Sequence, residues 1–521
     1  MAVVKVLMDI VRFLLTVTRP YSFKFLDALC RIFFGPKPLL PSIDDGILLL
    51  SATELAEKIR KKQLKAENVM KAYIKRITEV EPLINACVDQ RFSDALKEAR
   101  DVDSFLSSNT KTEEEIAKEM SLLGVPFSCK ETIGVKGLAQ TSGINAAKDR
   151  KAPADGVSTF LYRNAGAIPV VATNVPEFCS WWETANIPFG RTLNPYDNVR
   201  GAGGSTGGEG AIIAYAGSVI GIGNDLAGSI RMPAAFNGIY GHKPSPGMIS
   251  NKGNWPPDED VIDRYVSTGP MCRYAKDLPL LASILSETRI NWDKKVDFRK
   301  TRIYYMEQFP GYLFNPLPDI KAAVIKAAQY FEESFGNKPT SITMPELEYA
   351  LEIWESKLLQ VGIPPFRRAV AGQDNTINLF HEFIKAVFNR SEHTLPAIYY
   401  SAIERRTMDS DYYSFLDMFN SVKKKLDEVL EGDAILLLPT HPETAPHHLM
   451  TIPKYPNQAY TCVFNVLEYP STQIPAGLSD GLPIGIQAIS ATNNDYLSIA
   501  AAVELDKLFG GWTCPCTVTS C

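Results

Sequence analysis

Short, uninterrupted apolar runs alternate along this chain with longer stretches whose apolar residues recur every three or four positions. The runs are Leu122 to Phe127, Ala167 to Ala172, Ser218 to Gly223 and, much later, Ala434 to Leu438, each bounded by Gly, Pro or polar residues. Runs without polar alternation suit strands buried on both faces, and helical spacing between them predicts an α/β fold, a central mixed twisted sheet covered by helices on both faces. Helical periods cover Ala52 to Leu64, Asn68 to Glu81 and Ser93 to Leu106; the first opens on Ser51 with Glu54 three residues later, a capping-box signal. Residues 290–430 read as mainly helical. Near the end, Gln473 to Leu478 and Leu482 to Ala488 flank Ser479-Asp480-Gly481, a turn signal between adjacent strands, and a last helix from Asp495 to Phe509 stops at Gly510-Gly511.

The N-terminus follows a different pattern. Ala2 to Val17 is strongly apolar, but Lys5, Asp9 and Arg12 fall on one helical face. After Pro20, the aromatics Tyr21, Phe23, Phe25, Phe33 and Phe34 mix with Lys24 and Arg31. This predicts a segment lying in a membrane interface rather than crossing it, because no uncharged run is long enough to span. A helix pair packed on the core or on a second copy is the alternative, and a cleaved signal peptide fits poorly because charges interrupt the apolar region. Pro36, Pro38 and Pro41 break the chain here, dividing it into residues 1–40, for membrane association, and 41–521, the main domain.

Composition removes several function classes. The 521 residues are 45% hydrophobic and 22% charged, an ordinary globular balance, and 54 Lys+Arg against 59 Asp+Glu give a net charge of -5 without a basic block. No nucleic-acid partner is expected. The nine cysteines form no CxxC pair and read as reduced thiols; the six histidines include no HxxxH, and His447-His448 reads as an exposed loop pair. Neither a metal nor a cofactor is expected.

Three windows carry candidate chemistry. Gly201-Ala-Gly-Gly-Ser205-Thr-Gly-Gly-Glu-Gly210 packs six glycines into ten residues ahead of an apolar helical run, Ala211 to Ala216. Glycine at this density implies backbone that a Cβ would obstruct. A phosphate loop does not fit, since no Lys-Ser/Thr follows the last glycine. The second window runs from the strand-like Ser218–Gly223 through the turn Asn224-Asp-Leu-Ala-Gly228 to Ser229, at the start of a helix. There a hydroxyl is held outward among unpaired backbone N–H groups, although serine in such a place is also a common N-cap. In the third, Val125-Pro-Phe-Ser-Cys-Lys130, a lysine sits in a largely apolar strand. It either snorkels to the surface or, if buried, needs a partner or loses its proton.

Taken together, the Gly-Gly-Ser205-x-Gly-Gly core, the stretch Gly221-x-Gly-x-Asp225-x-Ala-x-Ser229-x-Arg231-x-Pro233 and the upstream Lys130 resemble the amidase signature family, from about residue 45 to the C-terminus. The resemblance implies the fold of that family and a Ser–Ser–Lys triad. Ser229 would form an acyl-enzyme, Ser205, after a cis Gly204–Ser205 peptide, would bridge, and neutral Lys130 would receive the proton. It implies an oxyanion hole of backbone N–H groups at Leu226, Ala227, Gly228 and Ser229, with Asp225, Arg231 and Gly204 as structural support. With the apolar N-terminus, the expected function is hydrolysis of a lipid (fatty-acid) amide to acid and amine by an intracellular, membrane-associated enzyme, self-association being left open. An amidotransferase subunit releasing ammonia from glutamine for a partner protein, and a noncatalytic binding protein, are the alternatives. Three positions depart from the family pattern: Thr206 stands where serine is usual, Asn224 where threonine is common, and His242 where an apolar residue is typical. The first two border the catalytic serines and point to reduced or altered activity.

If residues 1–36 anchor the chain, deleting them lowers its partition into lipid vesicles, read by cosedimentation; an unchanged partition removes the anchor.

Overall fold

The computed structural model describes residues 40–519 except 109, 258–262, 288–289, 293, 312–314, 364–365, 371–376, 389 and 405–406. The expected N-terminal anchor therefore lies outside the described residues. The strands are β1 (Cys87–Gln90), β2 (Pro126–Lys130), β3 (Ile168–Thr173), the short pair β4 (Ala185–Asn186) and β5 (Gly190–Arg191), β6 (Ile220–Asp225), β7 (Tyr240–Lys243), β8 (Ser267–Cys272), β9 (Arg302–Tyr305), β10 (Thr340–Ser341), β11 (Ala434–Pro439), β12 (Ser471–Ser479) and β13 (Leu482–Ile489). Eleven of them form one mixed sheet in the order β1-β3-β2-β6-β8-β7-β12-β13-β11-β9-β10. Strands β2, β3, β8, β11 and β13 are buried along their whole length, as a sheet covered on both faces requires.

Local signals explain most element ends. Ser51 caps the helix Ala52–Arg60 through a complete capping box with Glu54. That helix stops four residues before the expected Leu64, and Lys62 then turns with a φ of 54°. The periods after it become the helices Ala66–Ile84 and Phe92–Ser107. Asp480 and Gly481, with φ of 49° and 77°, link β12 to β13 as a two-residue hairpin that pairs Ser479 with Leu482. The final helix, Asp495–Phe509, ends on Gly510 in the left-handed region.

Two expectations are corrected. The run Leu122 to Phe127 is not itself a strand, because Gly124, at φ 75°, belongs to a turn and the strand begins only at Pro126. Residues 290–430, read as helical, also supply β9 and β10, which extend one edge of the sheet. Their apolar content is too short to separate from helix by period alone.

Parallel pairing positions the site. β2 lies between β3 and β6, parallel to both, with Lys130 opposite Thr173 and Cys129 opposite Ile222. The carboxyl ends of β2 and β6 therefore emerge side by side, Lys130 ending one and Asn224-Asp225 the other. In open α/β sheets this is where ligands are met.

Candidate active site

Lys130 is fully buried at the end of β2. Its Nζ lies 2.7 Å from Ser205 Oγ, 2.6 Å from Asn224 Oδ1 and 3.5 Å from the Asn224 carbonyl oxygen. It does not snorkel. Burial drives its pKa below the ordinary lysine value, against the opposing pull of Cys179, Asp225, Glu131 and Glu209.

Ser205 follows a cis Gly204–Ser205 peptide and precedes the helix Gly207–Ala214. The loop fits only because its residues are small: a Cβ on Gly204 would press on the Trp181 carbonyl oxygen. The next residue links it to the other serine, the Thr206 N–H donating to the Ser229 carbonyl at 3.2 Å. The Thr206 hydroxyl also donates to the Asn224 carbonyl at 3.3 Å. Lys130, Ser205 and Ser229, from three separate segments of the chain, thus share one corner of the fold.

Ser229 follows Gly228, whose φ of 114° and close approach to the Thr461 hydroxyl exclude any side chain. Asp225 builds this turn. Its carboxylate accepts from the N–H groups of Gly228 at 2.7 Å and Ile230 at 3.0 Å, and makes a two-pronged pair with Arg231, Nε and Nη2 each at 3.0 Å. Burial alone would raise the Asp225 pKa; Arg231 overcomes it and holds the carboxyl well below its ordinary range. Arg231 reaches on to the Thr461 carbonyl, Asn465 Oδ1 and Gln487 Oε1.

The expected oxyanion hole is narrowed by this arrangement. Gly228 had been counted among its donors, but its N–H is engaged by Asp225. Among the described residues no acceptor pairs the N–H groups of Leu226, Ala227 or Ser229, while the Leu226 and Ala227 carbonyls are held by Trp354 Nε1 at 3.2 Å and the Thr461 hydroxyl at 2.8 Å.

Beneath the lysine, Glu209 is fully buried, accepting from the Ser128 hydroxyl at 2.6 Å and the Thr173 hydroxyl at 2.8 Å. Burial pushes its pKa up to about 8, so it is mostly protonated at neutral pH. Glu131 is also buried, its pKa raised by desolvation, and is tied to Thr141 and Gly143. The sequence offered no reason to select either carboxylate, nor Thr461, Asn465 or Gln487, which join the site only through tertiary packing. An aromatic wall stands beside the turn: Trp181 stacks on Tyr455 at 5.6 Å and meets Tyr399 edge-on at 5.9 Å, and Leu226 and Ala227 pack against the same cluster.

The histidine expectations change. His447 is buried and His448 partly so, not an exposed pair: His448 Nδ1 lies 3.0 Å from Glu183 Oε1, and its Nε2 3.2 Å from the Asn198 carbonyl. No cluster of three or more His, Cys, Asp or Glu suited to a metal occurs among the described residues. His242 is buried with its ring nitrogens on Thr472 and Asp495, which accounts for a polar residue at an apolar position.

A family model described as Amidase matches residues 68–498. Fatty-acid amide hydrolase 2-A of Danio rerio is 39% identical over 91% of this chain and 92% of its own length, and fatty-acid amide hydrolase 2 of Homo sapiens is 37% identical over 92% of each. A solved fatty acid amide hydrolase aligns over 90% of this chain and 86% of its own with a TM-score of 0.70 at 23% identity, a likeness of fold. The chain belongs to the amidase signature family and is an amide hydrolase of that family.

Arg231→Met leaves the buried Asp225 carboxylate without its cation and is expected to destabilise the fold by about 3–5 kcal/mol near neutral pH. Because the Asp225 pKa is depressed in the folded state, its pairing stabilises above the unfolded carboxylate pKa of about 4 and is lost as pH falls through the lower, folded value. Denaturant unfolding should therefore give a smaller gap between variant and parent in acid than near neutrality.

Proposed function

We propose that this amidase cleaves lipid amides to a fatty acid and an amine, through an acyl-enzyme on Ser229. The observation that carries the mechanism is the 2.7 Å bond between a fully buried Lys130 Nζ and Ser205 Oγ. An amine out of water favours its neutral form, which can accept a proton. In the forward step Ser229 Oγ bonds to the amide carbon as its proton passes to Ser205 and that of Ser205 to Lys130. The carbonyl oxygen becomes an oxyanion facing the Leu226, Ala227 and Ser229 N–H groups. Lys130 then returns its proton through Ser205 to the departing nitrogen, breaking the C–N bond, and water attacking the acyl-enzyme releases the acid and restores Ser229.

The lipid part of the reading rests on the relatives and on an exposed apolar helix. No helix among the described residues is long and apolar enough to cross a membrane. The helix Leu379–Val387 nevertheless leaves Phe380, Phe383, Ile384 and Val387 at 76%, 49%, 40% and 61% exposure, with Phe388 beyond it at 68%. Their helical spacing makes one apolar stripe, beside Lys385 and Arg390, of the kind that rests on lipid. Inward, Leu379 packs against a cluster of Phe366, Ile377 and Ala397 that Phe178 and Tyr400 also meet, and Tyr400 lies against Trp181 and Tyr455 of the larger cluster on which Leu226 and Ala227 pack.

Amide cleavage should rise with pH through the Lys130 pKa, which burial places below the ordinary value of about 10.4. Lys130→Ala should lower kcat/KM for an amide by roughly 10²–10⁴-fold and for the matching ester by less, because the amine leaving group needs the returned proton more. Equal losses on both substrates, or a flat pH profile in single-turnover acylation, would remove the relay.

The double variant Phe380→Asp/Phe388→Asp is expected to weaken cosedimentation with phosphatidylcholine vesicles by roughly tenfold. It should also raise KM for a long-chain amide while leaving a short, water-soluble amide unaffected; unchanged partition and KM would detach this helix from lipid.

A further inference from the structure

Asn224, flagged by sequence as a departure bordering the catalytic serines, proves to be one of two residues hydrogen-bonded to the lysine amine. Its Oδ1 is 2.6 Å from Lys130 Nζ and its main-chain oxygen 3.5 Å, while Ser205 Oγ stands at 2.7 Å. The side-chain amide is oriented from its other end, Nδ2 donating to the Thr132 hydroxyl at 3.1 Å, which turns the oxygen toward the lysine. Both Asn224 oxygens can only accept. A neutral amine carries two N–H bonds and one lone pair, so two acceptors on the same residue draw off both N–H bonds. The remaining direction, the lone pair, falls to Ser205 Oγ, which must then be the donor.

We infer that Asn224 is a positioning residue that points the lone pair of neutral Lys130 at the Ser205 hydroxyl. The inference rests on the Ser229–Ser205–Lys130 reading and refines it. A threonine hydroxyl at this position could donate to the amine and compete for that lone pair; a carbonyl oxygen cannot. The departure thus sharpens the relay instead of weakening it.

The other groups facing Lys130 act on its charge from a distance and have bonds of their own. Glu131 is held by Thr141 and Gly143, Glu209 by Ser128 and Thr173, and Asp225 by Arg231. Cys179 adds a further opposing influence from the segment after β3. None of these sets the direction of the Nζ lone pair; Asn224, in contact, does.

The test is the pH profile of kcat/KM for amide cleavage in Asn224→Asp, Asn224→Leu and Asn224→Thr, with thermal midpoints measured alongside. Asn224→Asp sets a carboxylate against the amine and favours ammonium, so the rising limb should move up by about one pH unit or more, with activity near neutrality at least roughly tenfold down and recovering in alkali. Asn224→Leu, which removes the side-chain acceptor, should lower the high-pH plateau by roughly tenfold, and Asn224→Thr, whose hydroxyl can accept from the amine but also donate to it, should recover only part of that loss. An Asn224→Asp profile superimposable on the parent's, or losses that follow the thermal midpoints with the limb unmoved, would overturn the assignment. Lys130→Ala and Ser205→Ala separate the two layers. Full amide activity in both would remove the triad itself, whereas their inactivity beside an unshifted Asn224→Asp profile would remove only the role of Asn224.

Discussion

A lysine amine placed out of reach of water is the constraint around which the rest of the site is arranged. An ammonium ion there would lose its hydration, and only a nearby anion in direct contact could compensate. No carboxylate makes that contact: Lys130 Nζ is bonded to a serine hydroxyl and to the oxygens of an asparagine. The carboxylates in the neighbourhood are occupied elsewhere. Asp225 is neutralised by Arg231, and Glu209, raised to about 8, keeps its proton at neutral pH while its oxygens accept from two hydroxyls. Burial is what moves the amine toward its neutral form, and these carboxylates oppose it only from a distance because their own bonds engage them elsewhere.

The second constraint is steric. Two glycine-rich turns must approach that amine from separate strands, and their neighbours come close enough that side chains at Gly204 and Gly228 would collide with backbone or a hydroxyl. Asp225 and Arg231 hold the second turn from inside, and Arg231 carries the same network to Thr461, Asn465 and Gln487. The turn carrying Ser229 is therefore braced from residues 461, 465 and 487. In the proposed mechanism this rigidity has a chemical purpose, because backbone donors stabilise a developing oxyanion only when they are already aimed before the reaction begins.

Around this polar centre the packing is apolar and aromatic. Trp181 and Tyr455 belong to a core cluster against which Tyr399, Tyr400, Leu226 and Ala227 also pack, and Tyr400 packs in turn on a smaller cluster beside a helix whose phenylalanines face solvent. A dry, apolar surrounding strengthens the electrostatic interactions of the polar groups it encloses.

What the sequence determined by itself is what depends on neighbours along the chain. Capping by Ser51, the Asp480-Gly481 hairpin, the glycine stop after Phe509 and most of the buried strands follow from residue spacing, because backbone propensity and capping act over a few residues. The three windows containing Lys130, Ser205 and Ser229 were legible for the same reason, as each is a local motif. Tertiary structure alone decided the rest: that Lys130 is buried and not snorkelling, that Asn224 contacts it, that Asp225 occupies the Gly228 N–H, that His447 lies inside, and that residues near 460 and 487 brace the turn at Ser229. Those outcomes depend on burial and on partners hundreds of positions away, and hydrogen bonds across such separations leave no periodicity in the chain for a local reading to find.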